Sequence, residues 1–510
     1  MPPPPKPGLL EEVRQAVEEP LTTYGLRQWS GWILGPAALL ATLLLPAPPG
    51  LSPAGWHTAG AAALMAVFWI TEAIPIPATA LLPLVLFPAL KLGDIRDTTA
   101  PYANPIIYLF LGGFLLALAM QRWGLHRRVA VNLIAAMGTR PTSIIAGFLL
   151  SSALISMWVS NTATAMMMLP IALSVVELVP NEARARPGTK AFCSALLLSV
   201  AYGATTGGMA TLIGTPPNAL LAAYVSKVYQ VEIGFGRWML VGVPVMLVTL
   251  PFVYLVLTRF SFRLDRAELP GLAGLLQREK ERLGRFSRAE SVVAIVFGLT
   301  ALGWVFQPLL ARSFSLVTDT TIAMTGALLL FVIPLNWRRG EFVMDWSATK
   351  GLPWDVLLLF GGGLSLAGNI EKHGLSRYLG DLCGGLQGAP MLLVLCLVCF
   401  GILMLTELTS NTATAATFLP ITGAIALSLG QNPLLFLIPT ALAANCSYML
   451  PVGTPPNAIV FASGQITLPQ MARAGMILNI LLVPILVGLV LLLGPSVFGI
   501  ELGQLPAWVK

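Results

Sequence analysis

One string that occurs twice constrains this chain more than any other feature. Ser160-Asn161-Thr162-Ala163-Thr164-Ala165 returns as Ser410-Asn411-Thr412-Ala413-Thr414-Ala415, and both copies run on to a Leu-Pro-Ile at 169–171 and 419–421. A second string follows each copy: Gly214-Thr215-Pro216-Pro217-Asn218-Ala219 and Gly453-Thr454-Pro455-Pro456-Asn457-Ala458. All four lie inside long apolar segments, where small hydroxyls, amides and paired prolines break helices. Irregular backbone at membrane depth is tolerated only where protein buries it or where it lines a cavity. The four strings therefore read as the walls of one binding site built from two halves.

Composition supplies the membrane. Of the 510 residues, 56% are hydrophobic and only 10% are charged, against about 25% charged in ordinary soluble domains. Apolar runs of spanning length recur along the chain, so an all-α polytopic membrane protein is expected. The net charge of +7 comes from basic residues gathered in loops on one face of the membrane. No basic run with interleaved aromatics accompanies it, so nucleic acid is not an expected partner. Cys396-x-x-Cys399 lies in an uninterrupted apolar stretch with no second pair, and reads as two small helix residues rather than a zinc or redox pair. His57, His126 and His373 form no metal-ligand spacing. Residues 1–28 are Pro-rich and charged, and lack the short apolar core of a cleavable signal.

The organisation expected along the chain is a cytosolic segment 1–28 with a short helix around Leu9 to Val17, then a first span and outer loop over 29–57. A first repeat covers 58–259, a basic polar loop 260–290, a second repeat 291–500 and a tail 501–510. Eleven transmembrane helices are counted, five on each side of the basic loop and one extra at the start. Residues 125–138, with His126, Arg127 and Arg128, suit a helix lying in the interface. Two interrupted blocks, 141–176 and 391–429, fit either two thin spans or a re-entrant hairpin, and hydropathy leaves that choice open.

The duplication extends past the strings. At a constant separation of 250, Leu109-Phe110 matches Leu359-Phe360, Gly112-Gly113 matches Gly362-Gly363, and Gly124-Leu125 matches Gly374-Leu375. A repeated unit with an odd number of spans places its second copy upside down, and inverted repeats with interrupted helices mark secondary transporters. Charge agrees: with the N-terminus inside, the basic loops at 127–140, 260–290 and 338–339 all fall inside, and the C-terminus falls outside.

Segments 141–176, 191–224 and 435–470 contain no Lys, Arg, His or Asp, and Glu407 is the one charge in 391–430. The site thus offers hydroxyls, amides, carbonyls and helix ends. Oxygen-rich surfaces of this kind suit Na⁺, and exposed N–H groups at helix N-termini attract carboxylate or sulfate. An anion without an Arg partner needs countercharge, which co-bound Na⁺ supplies. Symmetry then sets one cation site at Ser156, Ser160, Asn161 and Gly214 and a second at Thr406, Ser410, Asn411 and Gly453. The anion sits between them, touched by Asn161, Thr162, Asn411 and Thr412. Glu407 reads as structural rather than as a proton carrier, because its counterpart is Met157.

Paired Ser-Asn-Thr tips, paired Gly-Thr-Pro-Pro-Asn breaks and the corner Trp69-Ile70-Thr71-Glu72-Ala73-Ile74-Pro75-Ile76-Pro77 resemble the divalent anion/sodium symporter family. These are sodium-coupled di- and tricarboxylate carriers, with sulfate carriers among their relatives. The resemblance implies re-entrant hairpins, a homodimer, and a scaffold and a transport domain moving as an elevator. It places sodium ligands at Ser156, Ser160, Asn161 and Gly214 and at Thr406, Thr409, Asn411 and Gly453, with Thr409 coming from the resemblance alone. Substrate contacts fall on Asn161, Thr162, Asn411, Thr412 and Pro455. Some relatives are sodium-independent exchangers, certain of which carry an Arg just after the Asn-Thr pair; this chain has Thr164 and Thr414 there. The expected function is Na⁺-coupled import of C4-dicarboxylates (succinate, malate, fumarate) across the cell's inner membrane, surrounded by lipid and with two Na⁺ sites. A dicarboxylate exchanger and a citrate or sulfate carrier are the alternatives. An enzyme is not expected, since the interrupted segments hold no acid pair, His cluster or nucleophile with its base.

Overall fold

The computed structural model of the chain describes residues 24–179, 187–264, 271–314, 316–382 and 388–509. The expected helix around Leu9 to Val17 lies outside the described residues, as do Cys383 and residues 265–270 of the basic loop. Among the described residues the chain is helical, and its sheet is a single hairpin of β1 (Pro334–Asn336) and β2 (Glu341–Phe342).

The first half opens with α1 (Leu26–Leu44) and α2 (Pro53–Thr71), which pack together. Residues 76–89 form two short helices, α3 (Ile76–Leu81) and α4 (Pro83–Ala89). Pro83 has no N–H to donate, so the ladder restarts there. There follow α5 (Ile95–Thr99), α6 (Pro105–Arg122), α7 (Leu125–Met137), α8 (Pro141–Ser156), α9 (Asn161–Glu177), α10 (Pro187–Gly208), α11 (Pro216–Tyr229) and α12 (Phe235–Leu255), the last extended by a π turn, Val256–Phe260. After the basic loop come α13 (Leu272–Leu283), α14 (Arg288–Ser313), α15 (Asp319–Val332), α16 (Trp354–Lys372), α17 (Leu375–Leu382), α18 (Met391–Thr406), α19 (Asn411–Ser428), α20 (Leu434–Asn445), α21 (Pro455–Phe461) and α22 (Leu468–Phe498).

Five of the described helical segments are long and apolar enough to cross a membrane: Ile95–Arg122, Gly188–Gly208, Phe235–Phe260, Arg288–Ser313 and Leu468–Phe498. Shorter apolar helices accompany them, α8, α9, α15, α18 and α20 included. The last helix, α22, starts at Leu468, where Thr467 and Gln470 form a capping box.

The basic loop is not irregular throughout, since α13 forms within it. Its exposed face carries Arg278, Lys280 and Arg282, while Leu276 and Glu279 are buried. Arg127 on α7 donates to Glu279 at 2.6 Å and Arg282 donates to its other oxygen at 2.9 Å. Burial pushes the Glu279 carboxyl up, but the two guanidiniums outweigh it and hold the group below the usual carboxylate range. Arg128 meanwhile bonds Glu290 and the carbonyls of Leu283 and Gly284. The basic loop is therefore tied to the interface helix α7.

Close helix packing sets the site's first wall. Gly203 and Gly207 stand one turn apart on α10, facing α8. A Cβ on Gly207 would lie 2.1 Å from the Ala153 carbonyl oxygen, and one on Gly203 would lie 2.6 Å from that of Leu149. Only two bare backbones fit at that distance, the small-residue solution helices use in lipid.

Candidate functional site

Each Ser-Asn-Thr string makes a corner between two helices. In the first, α8 ends at Ser156 and α9 starts at Asn161. Ser160 is the N-cap: its Oγ accepts from the Ala163 N–H at 3.3 Å. Ser156 Oγ donates to Asn161 Oδ1 at 2.6 Å across the corner, and both residues are buried. In the second, α18 ends at Thr406 and α19 starts at Asn411, with Thr406 Oγ1 2.7 Å from the Asn411 carboxamide. The Asn-to-hydroxyl contact spanning five residues is thus present twice.

Each Gly-Thr-Pro-Pro-Asn string ends a break in a helix. α10 stops at Gly208 and α11 resumes at Pro216; α20 stops at Asn445 and α21 resumes at Pro455. The paired prolines occupy the first two helical positions, where no N–H is needed. The Asn of each string then closes its own break. Asn218 Nδ2 donates to the carbonyls of Gly208, Met209 and Thr211 at 3.2, 3.3 and 2.8 Å. Asn457 Nδ2 donates to those of Ser447 and Leu450 at 3.2 and 3.1 Å. Each such bond satisfies a buried carbonyl that the helix can no longer serve.

Corners and breaks meet. Thr211 Oγ1 donates to the Met157 carbonyl and accepts from the Gly214 N–H, so the first corner rests on the first break. A Cβ on Gly208 would stand 2.4 Å from Asn161 Oδ1, and one on Gly214 would stand 2.5 Å from the Gly208 oxygen. Ser156, Asn161 and Gly214 are thereby gathered with no side chain between them. In the second half Ser447 Oγ donates to the Thr406 carbonyl at 2.9 Å and lies 2.9 Å from the Asn411 carboxamide. The two breaks join through Asn445, which donates to Asn218 Oδ1 at 3.0 Å and accepts from Thr215 Oγ1. Corners and breaks are thus linked, the first corner to its break through Thr211, the second through Ser447, and the two breaks through Asn445.

Asn411 tests whether this network suits a cation. Four oxygens surround its carboxamide: Thr406 Oγ1 at 2.7 Å, Ser447 Oγ at 2.9 Å, Ala444 O at 3.2 Å and Gly453 O at 3.3 Å. The hydrogen-bond pattern favours Nδ2 facing them as a donor. Turned over, Oδ1 accepts from the Thr406 and Ser447 hydroxyls and becomes a fifth oxygen in a set that a small hard cation can use. Neutral oxygens of this type fit Na⁺, and among the described residues no group of three His, Cys, Asp or Glu offers a site for a softer ion. Thr406, Asn411 and Gly453 fit this arrangement. Thr409 does not bring its hydroxyl to it, because Thr409 Oγ1 donates to the Leu405 carbonyl and pairs with Thr414 Oγ1 at 2.7 Å. Ser160 likewise commits its hydroxyl to capping. Of the expected substrate contacts, Asn161 and Thr412 are buried, Thr162 and Asn411 half-buried and Pro455 exposed.

Glu407 has a definite place. Its carboxylate accepts from the Tyr448, Met449 and Leu450 N–H groups at 2.8–3.2 Å and from Asn479 Nδ2 at 2.8 Å. It is 2% exposed and caps the backbone of the second break. Sequence reasoning missed Thr211, Ser447, Asn445 and Asn479. Asn479 did leave a signal, as the only amide between Gln470 and the end of the long apolar helix α22.

A helical chain with interrupted apolar helices around a neutral polar network defines a membrane transporter rather than an enzyme. The chain belongs to the sodium:sulfate symporter family, whose profile, "Sodium:sulfate symporter transmembrane region", matches residues 26–500. It is 42% identical over 490 residues to the "Sodium-dependent dicarboxylate transporter SdcS" of Staphylococcus saprophyticus, covering 94% of each chain. The Staphylococcus aureus (strain USA300) protein of the same name is 42% identical over 484 residues, covering 94% of this chain and 93% of its own. Among solved structures, the Alcanivorax borkumensis YdaH transporter superposes with a TM-score of 0.56 at 13% identity, over 93% of this chain and 98% of its own. Neisseria gonorrhoeae MtrF gives 0.53 at 12% identity, over 94% and 96%. These last two likenesses concern the fold alone.

Proposed function

We propose that the protein imports C4-dicarboxylates with Na⁺, by alternating access around the network just described. The observation that carries this reading is the convergence of both corners and both breaks into one site that offers oxygens and amides but no fixed cation. A dianion bound there needs positive charge, and two Na⁺ would supply it. One would lie at Ser156, Ser160, Asn161 and Gly214, the other at Thr406, Asn411 and Gly453, with Thr409 added by the family resemblance alone. Asn161, Thr162, Asn411, Thr412 and Pro455 would hold the substrate. The names of the two staphylococcal relatives support a dicarboxylate over sulfate.

The finer architecture belongs to the same proposal. The 16-residue helices α8 and α18 reach about 24 Å at 1.5 Å per residue, short of the ~30 Å hydrocarbon core. That length supports re-entrant hairpins, and the proposal sets them among about eleven further spans arranged as inverted repeats over 58–259 and 291–500. Ion pairs keep to the sides that charge assigns. Arg127–Glu279, Arg128–Glu290 and Arg122–Asp345 join loops that the charge reading assigns inside, and Lys372–Asp97 joins loops that it assigns outside. With the basic loops on the cytoplasmic side, the N-terminus is cytoplasmic and the C-terminus external in the cell membrane. A homodimer with an elevator-like transport domain completes the reading. The test is uptake of labelled succinate into proteoliposomes with and without an inward Na⁺ gradient. Accumulation that requires the gradient is expected, while uptake indifferent to Na⁺ but dependent on internal dicarboxylate would replace symport with exchange.

A further inference from the structure

Away from the network, a cavity of about 520 Å³ opens where the start of α10, the π turn after α12 and the start of α22 come together. Arg263 and Arg473 line it, with Ser261, Gln470, Phe262 and Leu264. Both arginines are exposed, and neither has an ion-pair partner among the described residues. The Ser261 hydroxyl is buried and has no hydrogen-bond partner among the described residues. A buried hydroxyl without a partner costs free energy unless something else fills that role.

Two guanidiniums on one cavity wall, with the Ser261 hydroxyl buried just behind it, match a tetrahedral oxyanion, since each guanidinium presents paired donors to phosphate oxygens. The surroundings are apolar as well. Phe260 and Leu468, adjacent in sequence to lining residues, are 61% and 47% exposed. A charged pocket bordered by exposed apolar side chains at the end of spanning helices fits an amphiphile better than a free ion. We propose that this cavity binds the phosphate of an anionic phospholipid, with its acyl chains against Phe260 and Leu468. The site does not depend on the substrate reading. Its assignment to the cytosolic leaflet rests on the proposed orientation.

The test uses the full-length protein purified in detergent. Native mass spectrometry and thermal unfolding would be followed against phosphatidylglycerol, phosphatidylcholine and inorganic phosphate. Phosphatidylglycerol should bind and raise the melting temperature where phosphatidylcholine does not. R263Q/R473Q should weaken that binding about 30-fold, from the loss of two surface arginines, whereas R338Q/R339Q should leave it unchanged. R263K/R473K, which keeps the charge, guards against a folding artefact and should retain part of the binding. Equal binding of both lipids, or full phosphatidylglycerol binding by R263Q/R473Q, would overturn the proposal. Stabilisation by inorganic phosphate with no lipid preference would assign the pocket to a soluble anion and overturn the lipid.

Discussion

The two corners share a polar face and differ in nearly everything behind it. Ser156–Asn161 and Thr406–Asn411 are the same contact, 250 residues apart. Beside them the first corner carries Met157, Trp158 and Val159 where the second carries Glu407, Leu408 and Thr409. Trp158 packs on Phe235, Phe297 and Trp304, with ring centroids 5.0–6.4 Å apart. Leu408 is 56% exposed. The first corner is therefore held by aromatic packing and by the bare backbones of Gly208 and Gly214. The second is held by a buried carboxylate and by Ser447. What the halves keep in common is the Asn-to-hydroxyl contact; the means of support has diverged.

Truncating the shared element should have the largest effect. Asn161→Ala and Asn411→Ala are each expected to reduce Na⁺-driven succinate uptake to background, with the protein still monodisperse on size exclusion. Transport surviving in one variant would mean that only one corner matters. Next come exchanges of the supports. Gly208→Ser puts an atom 2.4 Å from Asn161 Oδ1 and should remove most uptake. The reverse exchange, Ser447→Gly, deletes a hydroxyl whose bonds are worth about 1 kcal/mol each and should raise the half-saturating Na⁺ concentration several-fold.

Glu407→Met writes the first corner's residue into the second. It leaves the N–H groups of 448–450 without their acceptor, at about 1–3 kcal/mol for each one left unsatisfied, and should lower the melting temperature sharply. Met157→Leu, at the matching position, should cost less than about 1.5 kcal/mol. The smallest effect is a gain. Thr164 Oγ1 is buried without a partner among the described residues, while its counterpart Thr414 bonds Thr409. Val159→Thr recreates that pair and should stabilise the protein by about 1 kcal/mol without changing uptake.

What sequence could reveal here was local. The starts of α9, α11, α19 and α21 fall at the duplicated strings, because Ser160 caps and prolines 216, 217, 455 and 456 open helices. The helix α13 was hidden by charge density, which reads as loop until Glu279 finds Arg127, 152 residues away. The Asn in each Gly-Thr-Pro-Pro-Asn string was visible but its task was not. Asn218 bonds carbonyls 7–10 residues back and an amide 227 residues on, and such contacts have no sequence period. Glu407 needed Asn479, 72 residues later, for the same reason.

The central claim is that metal cations provide the charge that this site lacks, and calorimetric titration of purified protein with succinate tests it most directly. In NaCl, binding should be measurable and should steepen with Na⁺ in a way that requires more than one ion. In choline chloride at equal ionic strength it should vanish. Succinate binding of equal strength in both salts would contradict the account.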